Sequence, residues 1–175
     1  VDLMGDMVHN FPSQDVRIIV VTDSQGILGI GDIGVGGMAV PIGKLSLYSI
    51  GAGIHPSFCL PIALDIGTDN EELLQDPLYL GIGHKRIKGQ EYYDLIDKFV
   101  NNIKEHFPKA IIQWEDFSKR HSFEILDKYK EVLPSYNDDI QTTGAVVLAG
   151  IINAMKIKGE ELKDQAFVVY GAGSG

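Results

Sequence analysis

Four carboxylates stand in two adjacent pairs, each just after a short hydrophobic segment: Glu115-Asp116 after residues 110–114, and Asp138-Asp139 after residues 132–136. Carboxylates wedged between segments that favour burial cost several kcal/mol each unless something cationic compensates. Oxygen donors without cysteine or histidine among them suit a hard cation such as Mg²⁺ or Mn²⁺. Three such ligands would leave about three of six coordination positions for water and substrate. The competing reading is that these are ordinary loop acids or helix caps. Lys44, inside the apolar segment 40–52, is a second candidate. Its ammonium either reaches back to water along its methylene stem or is desolvated enough, next to a cation, to become partly neutral and accept a proton. An adjacent carboxylate such as Asp138 would oppose that loss of charge but would provide a route for relaying the proton.

The chain's last residues, Gly171-Ala172-Gly173-Ser174-Gly175, follow the apolar segment 166–170 and look like the opening of a dinucleotide fingerprint. Gly171, Ala172, Gly173 and Ser174 are therefore the candidate cofactor-binding residues. The single cysteine, Cys59, lies in an apolar segment and reads as core, while the histidines show no ligand spacing.

These residues need elements to hold them. Residues 16–22 are a β-branched run of strand length, closed by the turn-like Asp23-Ser24-Gln25-Gly26 and followed by a glycine-dense stretch to Gly37. Residues 40–52 have helical spacing, with Pro41 suited to a first turn. A second strand is expected at 59–66, a short helix at 71–75, an amphipathic helix at 91–106, a third strand at 110–114 and a helix at 118–131. A helix is expected at 144–155, capped by Thr142 or Thr143, and a last strand at 166–170. Strands alternating with helices imply an α/β fold with a largely parallel sheet, whose carboxyl edge collects ligands.

Composition narrows the partners. With 175 residues and 45% hydrophobic content, the chain can bury a substantial core. A net charge of −9 argues against nucleic acid or an anionic membrane surface. One cysteine excludes an internal disulfide framework and fits a reducing compartment. No uninterrupted apolar run reaches the roughly 18 residues of a membrane span, and no signal-peptide pattern is present. The chain starts at valine and stops on an unfinished glycine pattern, so it reads as a piece of a longer protein.

The separate signals coincide with a family. The segment from Ile33-Gly34-Val35-Gly36-Gly37 through Pro41-Ile42-Gly43-Lys44-Leu45 resembles the glycine-rich substrate segment of malic enzymes. Asp65-Ile66-Gly67-Thr68-Asp69-Asn70, followed by Asp76-Pro77-Leu78-Tyr79-Leu80-Gly81, resembles their next block. Trp114-Glu115-Asp116-Phe117 and Asn137-Asp138-Asp139-Ile140-Gln141 resemble their two metal segments. The resemblance implies divalent-metal- and NAD-dependent (or NADP-dependent) oxidative decarboxylation of L-malate to pyruvate and CO2. On matching positions Glu115, Asp116 and Asp139 would bind Mn²⁺ or Mg²⁺, and Lys44 would be the general base, with Asp138 beside it. It further implies a malic-enzyme core domain over residues 1–155, running at 156–175 into the first strand of a Rossmann NAD(P) domain. A cytoplasmic homo-oligomer, dimer or tetramer, is implied as well. The family's proton-donating tyrosine belongs to an upstream segment, so the chain alone is expected to be inactive.

Two departures bear on the reaction. Pyruvate-forming members typically carry an arginine where this chain has Gly26; glycine there is what malolactic enzymes have, relatives that convert L-malate to L-lactate and CO2 with NAD kept bound. Arg17 is a candidate to take the arginine's place. Gly37-Met38-Ala39-Val40-Pro41, by contrast, looks like the pyruvate-forming branch. Thr142-Thr143 replaces the usual Gly-Thr after Ile-Gln. The alternative from another class is a non-catalytic small-molecule-binding domain with solvated acids.

Overall fold

The structure is a computed structural model that describes residues 3–171 and 173. Four parallel strands form one sheet in the order β2-β1-β3-β4: β1 Ile18–Thr22, β2 Cys59–Ala63, β3 Ile111–Trp114 and β4 Ser135–Asn137. All five residues of β1 are buried, as a central strand covered on both faces requires. The helices are α1 Met4–His9, α2 Ala39–Ala52, α3 Glu71–Gln75, α4 Gln90–His106, α5 Lys119–Tyr129 and α6 Thr143–Lys158.

Alternation along β1 sends Ile19 and Val21 to one face and Ile18 and Val20 to the other. On the first face they join Ile112, Trp114, Phe99, Ile103, Ile125 and Tyr129 in the larger core, built with α4 and α5. On the second they pack with Leu45 and Tyr48 of α2. The strong apolar stripe of α4, from Tyr92 to Ile103, is fully buried.

Register sets up the functional edge. Val21 pairs with Trp114, and Trp114 with Asn137. The residues that leave those three strands therefore emerge side by side at the sheet's carboxyl edge, and they include Glu115 and Asp138.

Two expectations are corrected, and the helix after the second acidic pair differs in its surroundings. Residues 166–170 are not a strand: Val168 is 93% exposed and no strand pairs with the segment among the described residues. A strand exists only through a neighbour's ladder, which apolar β-branched composition cannot supply. The apolar run that forms α6 packs none of its side chains into a core. The helical stretch Asp138–Lys158 has a mean hydropathy of 1.4 and is by length and composition long and apolar enough to cross a membrane. That length counts Asp138 and Asp139, both engaged at the sheet edge. Neither Thr142 nor Thr143 caps α6 with its side chain; a π-turn over Asp138–Thr142 precedes it, and Asn137 Oδ1 accepts the Ile140 N–H at 3.0 Å.

Candidate metal and proton-transfer site

β3 delivers Glu115 to the edge, where its N–H donates to the Val21 carbonyl at 2.9 Å. The chain then turns sharply: Asp116 has φ of 53°, a left-handed conformation uncommon for a residue with a side chain and typical of functional corners. Its N–H donates to Asp139 Oδ2 at 3.0 Å. Ligand oxygens of Glu115, Asp116 and Asp139 all lie within 4.8 Å of one another.

Glu115 and Asp116 are buried and Asp139 is half-buried. Burial pushes the Glu115 carboxyl up to about 7 in spite of Lys44 beside it. Burial, helped by the charge of Asp139, pushes Asp116 up to about 6. Burial raises Asp139 as well. Three crowded, desolvated carboxylates with oxygen donors only are the donor set of a hard divalent cation such as Mg²⁺ or Mn²⁺. The residues fit such an ion.

The neighbours Asp138 and Asp139 part ways. The π-turn sends Asp139 to Asp116, while Asp138 Oδ2 lies 2.5 Å from Lys44 Nζ. Wide turns of this kind recur at functional sites. Lys44 Nζ also lies 2.9 Å from Glu115 Oε1. Burial by itself would favour the neutral amine, but the hydrogen bonds that Lys44 donates to Asp138 and Glu115 outweigh it and raise the lysine's pKa. These two carboxylates favour the ammonium form of Lys44, against the desolvation that its apolar segment supplies.

A second layer lies beneath these groups, and it was not singled out from the sequence. Gln113 Nε2 donates to Glu115 Oε2 at 2.5 Å. Gln113 Oε1 accepts from the hydroxyls of Tyr48 and Tyr136, the latter at 2.7 Å. The available signal was spacing: each partner sits on the same face of its element as a site residue. Asp32 and Arg86, inside and beyond the glycine-dense stretch, were also missed; they join the loop after β1 to the loop after β2.

Gly26 backs directly onto the turn at Asp116-Phe117. Its N–H donates to the Asp116 carbonyl at 2.9 Å, and a Cβ there would lie 2.7 Å from the Phe117 carbonyl oxygen. No side chain fits without moving backbone. Arg17 does not replace the missing arginine: it precedes β1 at the opposite end of the sheet and pairs with Asp15 at 2.8 Å. Gly171, with φ of 117°, follows the unpaired segment 166–170, and Gly173 is a bend; Ala172 and Ser174 lie outside the described residues.

Residues 1–130 match the family described as malic enzyme, N-terminal domain, and residues 140–175 that described as malic enzyme, NAD binding domain. Over 174 residues the chain is 49% identical to a hydrogenosomal malic enzyme of Neocallimastix frontalis, covering 98% of this chain and 29% of that protein. It is 50% identical over 173 residues to a malolactic enzyme of Leuconostoc mesenteroides, covering 99% and 32%. An NAD-dependent malic enzyme of Salmonella arizonae is 46% identical over 171 residues, with 98% and 30% covered. Among solved structures, a malic enzyme from Pyrococcus horikoshii superposes with a TM-score of 0.65 at 29% identity, covering 97% of this chain and 33% of that one. An NAD-dependent malic enzyme from Thermotoga maritima superposes with a TM-score of 0.67 at 26% identity, covering 97% and 38%. The chain thus spans about a third of the length of these relatives.

Proposed function

The chain belongs to the malic enzyme family, and on that premise we propose that it forms the metal- and malate-binding core of an NAD-dependent enzyme that oxidatively decarboxylates L-malate to pyruvate and CO2. The observation that carries the reading is one juxtaposition: the Glu115, Asp116 and Asp139 oxygens cluster within 4.8 Å, and Lys44 joins Glu115 to Asp138 at their side.

Glu115, Asp116 and Asp139 would hold Mn²⁺ or Mg²⁺, which supplies positive charge to stabilise the enolate left when CO2 departs. NAD supplies the hydride acceptor; its site begins within residues 140–175, with Gly171, Ala172, Gly173 and Ser174 as the proposed contacts. This chain's own part is the proton. Lys44 is charged at rest, so it becomes a base only by first giving up a proton, and Asp138 Oδ2 at 2.5 Å is in place to take it. The neutral amine then removes the proton of the malate C2 hydroxyl, which is what allows hydride to leave C2.

A second reading rests on Gly26. With backbone filling the space a side chain would need, position 26 offers no cation to a malate carboxylate, and relatives of the malolactic type are among the similar proteins. That reading gives L-lactate and CO2 with NAD retained. We extend the proposal to a cytoplasmic homo-oligomer, and to residues 1–155 and 156–175 as the core and the start of the NAD domain, on family membership.

Two measurements test this. Mn²⁺ should raise the melting temperature of the chain, L-malate should raise it further only with Mn²⁺ present, and Asp139→Asn should abolish both effects; an unchanged response in Asp139→Asn rejects the metal site. Product analysis with L-malate, NAD and Mn²⁺, on a polypeptide carrying this chain with a complete NAD domain, separates pyruvate from lactate.

A further inference from the structure

Each element that delivers a site residue also delivers a polar partner one repeat deeper on the same face. On α2, Lys44 is followed one turn later by Tyr48; on the β3 edge, Glu115 is preceded two residues back by Gln113; on β4, Asp138 is preceded two residues back by Tyr136. The three deeper residues meet each other. The two tyrosine hydroxyls lie 3.0 Å apart, and both donate to Gln113 Oε1, Tyr136 at 2.7 Å. Gln113 is fully buried and the tyrosines are half-buried, so these polar groups have little water to turn to.

The consequence lies in which way the glutamine amide points. Two O–H donors converging on Oε1 use both of its lone pairs and leave the NH2 group to face Glu115, where Nε2 donates to Oε2 at 2.5 Å. The reversed amide would set its oxygen against the carboxylate and lose that bond. The Gln113 bond to Oε2 thus fixes the Glu115 carboxylate at the head of the cluster, with Oε1 toward Lys44 at 2.9 Å.

We propose that Gln113, locked by Tyr48 and Tyr136, is a positioning residue that pre-orients Glu115 for the divalent cation. This inference rests on the proposed metal role of Glu115 and adds to it three residues that would set affinity without touching the ion. Outer partners of metal-ligating carboxylates typically account for 10- to 100-fold in affinity.

The test titrates Mn²⁺ into the 175-residue chain and follows the free ion by electron paramagnetic resonance, with a thermal melt on each variant. Gln113→Met keeps the side chain's length and removes the amide; it should weaken Mn²⁺ binding about tenfold or more. The double variant Tyr48→Phe/Tyr136→Phe keeps the rings, frees the amide to turn, and should weaken binding about threefold. Tyr129→Phe, which removes a hydroxyl bonded to Asp97 away from the site, is the control for lost stability and should leave Mn²⁺ binding unchanged. If Gln113→Met fails to fold, the double tyrosine variant decides. Mn²⁺ affinities within twofold of the parent in Gln113→Met and the double variant, alongside loss of binding in Asp139→Asn, overturn the positioning role and leave the metal site standing. Parent-like binding in Asp139→Asn removes the metal site and this inference with it.

Discussion

Arg86 grips Asp32 at two points, Nε to Oδ2 at 2.6 Å and Nη2 to Oδ1 at 2.7 Å, with the arginine side chain only 2% exposed. The same carboxylate accepts the Gly34 N–H at 3.0 Å, the Thr68 hydroxyl at 2.8 Å and the Asp69 N–H at 2.8 Å. Arg86 Nη1 donates onward to the Asp23 carbonyl at 2.7 Å. One ion pair thus fastens the loop after β1, the glycine-rich segment that leads to α2 and Lys44, and the loop after β2. Bidentate geometry of this kind is what a guanidinium provides and an ammonium does not.

Removing Arg86 leaves Asp32 charged and half-buried with its bidentate partner gone. Arg86→Leu should cost about 3–5 kcal/mol, seen as a melting temperature lower by roughly 10 °C. A loss under 1 kcal/mol would show that the clip does not hold the loops.

The same pair sets an acid limit. Burial opposes ionisation of Asp32, but Arg86 and the N–H and hydroxyl donors outweigh it and hold its pKa down at about 2, below the ordinary 3.8. A lowered folded-state value means stability that is complete above about pH 4 and lost as pH falls toward 2. After allowance for solvent screening, the contribution is about 1–2 kcal/mol. Urea melts from pH 5 to pH 2 should show this loss in the parent. In Asp32→Asn the part due to this carboxyl should be missing; an identical pH slope in both would contradict the assignment.

Lys44 competes with any cation for Glu115, since its ammonium already lies 2.9 Å from Oε1. Lys44→Met should therefore retain Mn²⁺ binding, with affinity equal to or a fewfold tighter than the parent. Isothermal titration of the metal-free chain measures it. Loss of Mn²⁺ binding in a folded Lys44→Met would place the lysine in the metal cradle instead of beside it.

Gly26 is constrained by backbone and not by a torsion. A Cβ would lie 2.7 Å from the Phe117 oxygen and 3.0 Å from that of Asp116. Gly26→Ala should destabilise by about 1–3 kcal/mol, and Gly26→Arg by at least as much, because both must displace the strand end that carries Glu115 and Asp116. A melting temperature equal to the parent's in both would mean that this backbone yields freely.

Gly34 is constrained in both ways. Its φ is 52°, and a Cβ would land on the Tyr79 ring and hydroxyl, which accepts the Val35 N–H at 3.0 Å. Gly34→Ala should cost about 2–4 kcal/mol from the left-handed strain and the collision together. Tyr79→Phe in the same background should recover little, since the ring itself is in the way; full recovery would assign the whole cost to the hydroxyl.

Much of this protein was legible without coordinates, for identifiable reasons. The β-branched run at 16–22, the short apolar run at 110–114 and the period-3.6 stripe from Tyr92 to Ile103 announced β1, β3 and α4, because a strand buried on both faces reads as a continuous apolar run and a helix buried on one face imprints its period on the sequence. Acid pairs placed just after strands announced an edge site, since parallel strands end together. What tertiary structure alone decided is contact across elements. That Asp138 turns to Lys44 while its neighbour turns to Asp116 depends on a π-turn whose hydrogen bonds no propensity encodes. That Lys44 is charged depends on two carboxylates far along the chain. That residues 166–170 stay unpaired, and α6 stays uncovered, depends on partners, because an apolar run specifies that something should cover it and not what.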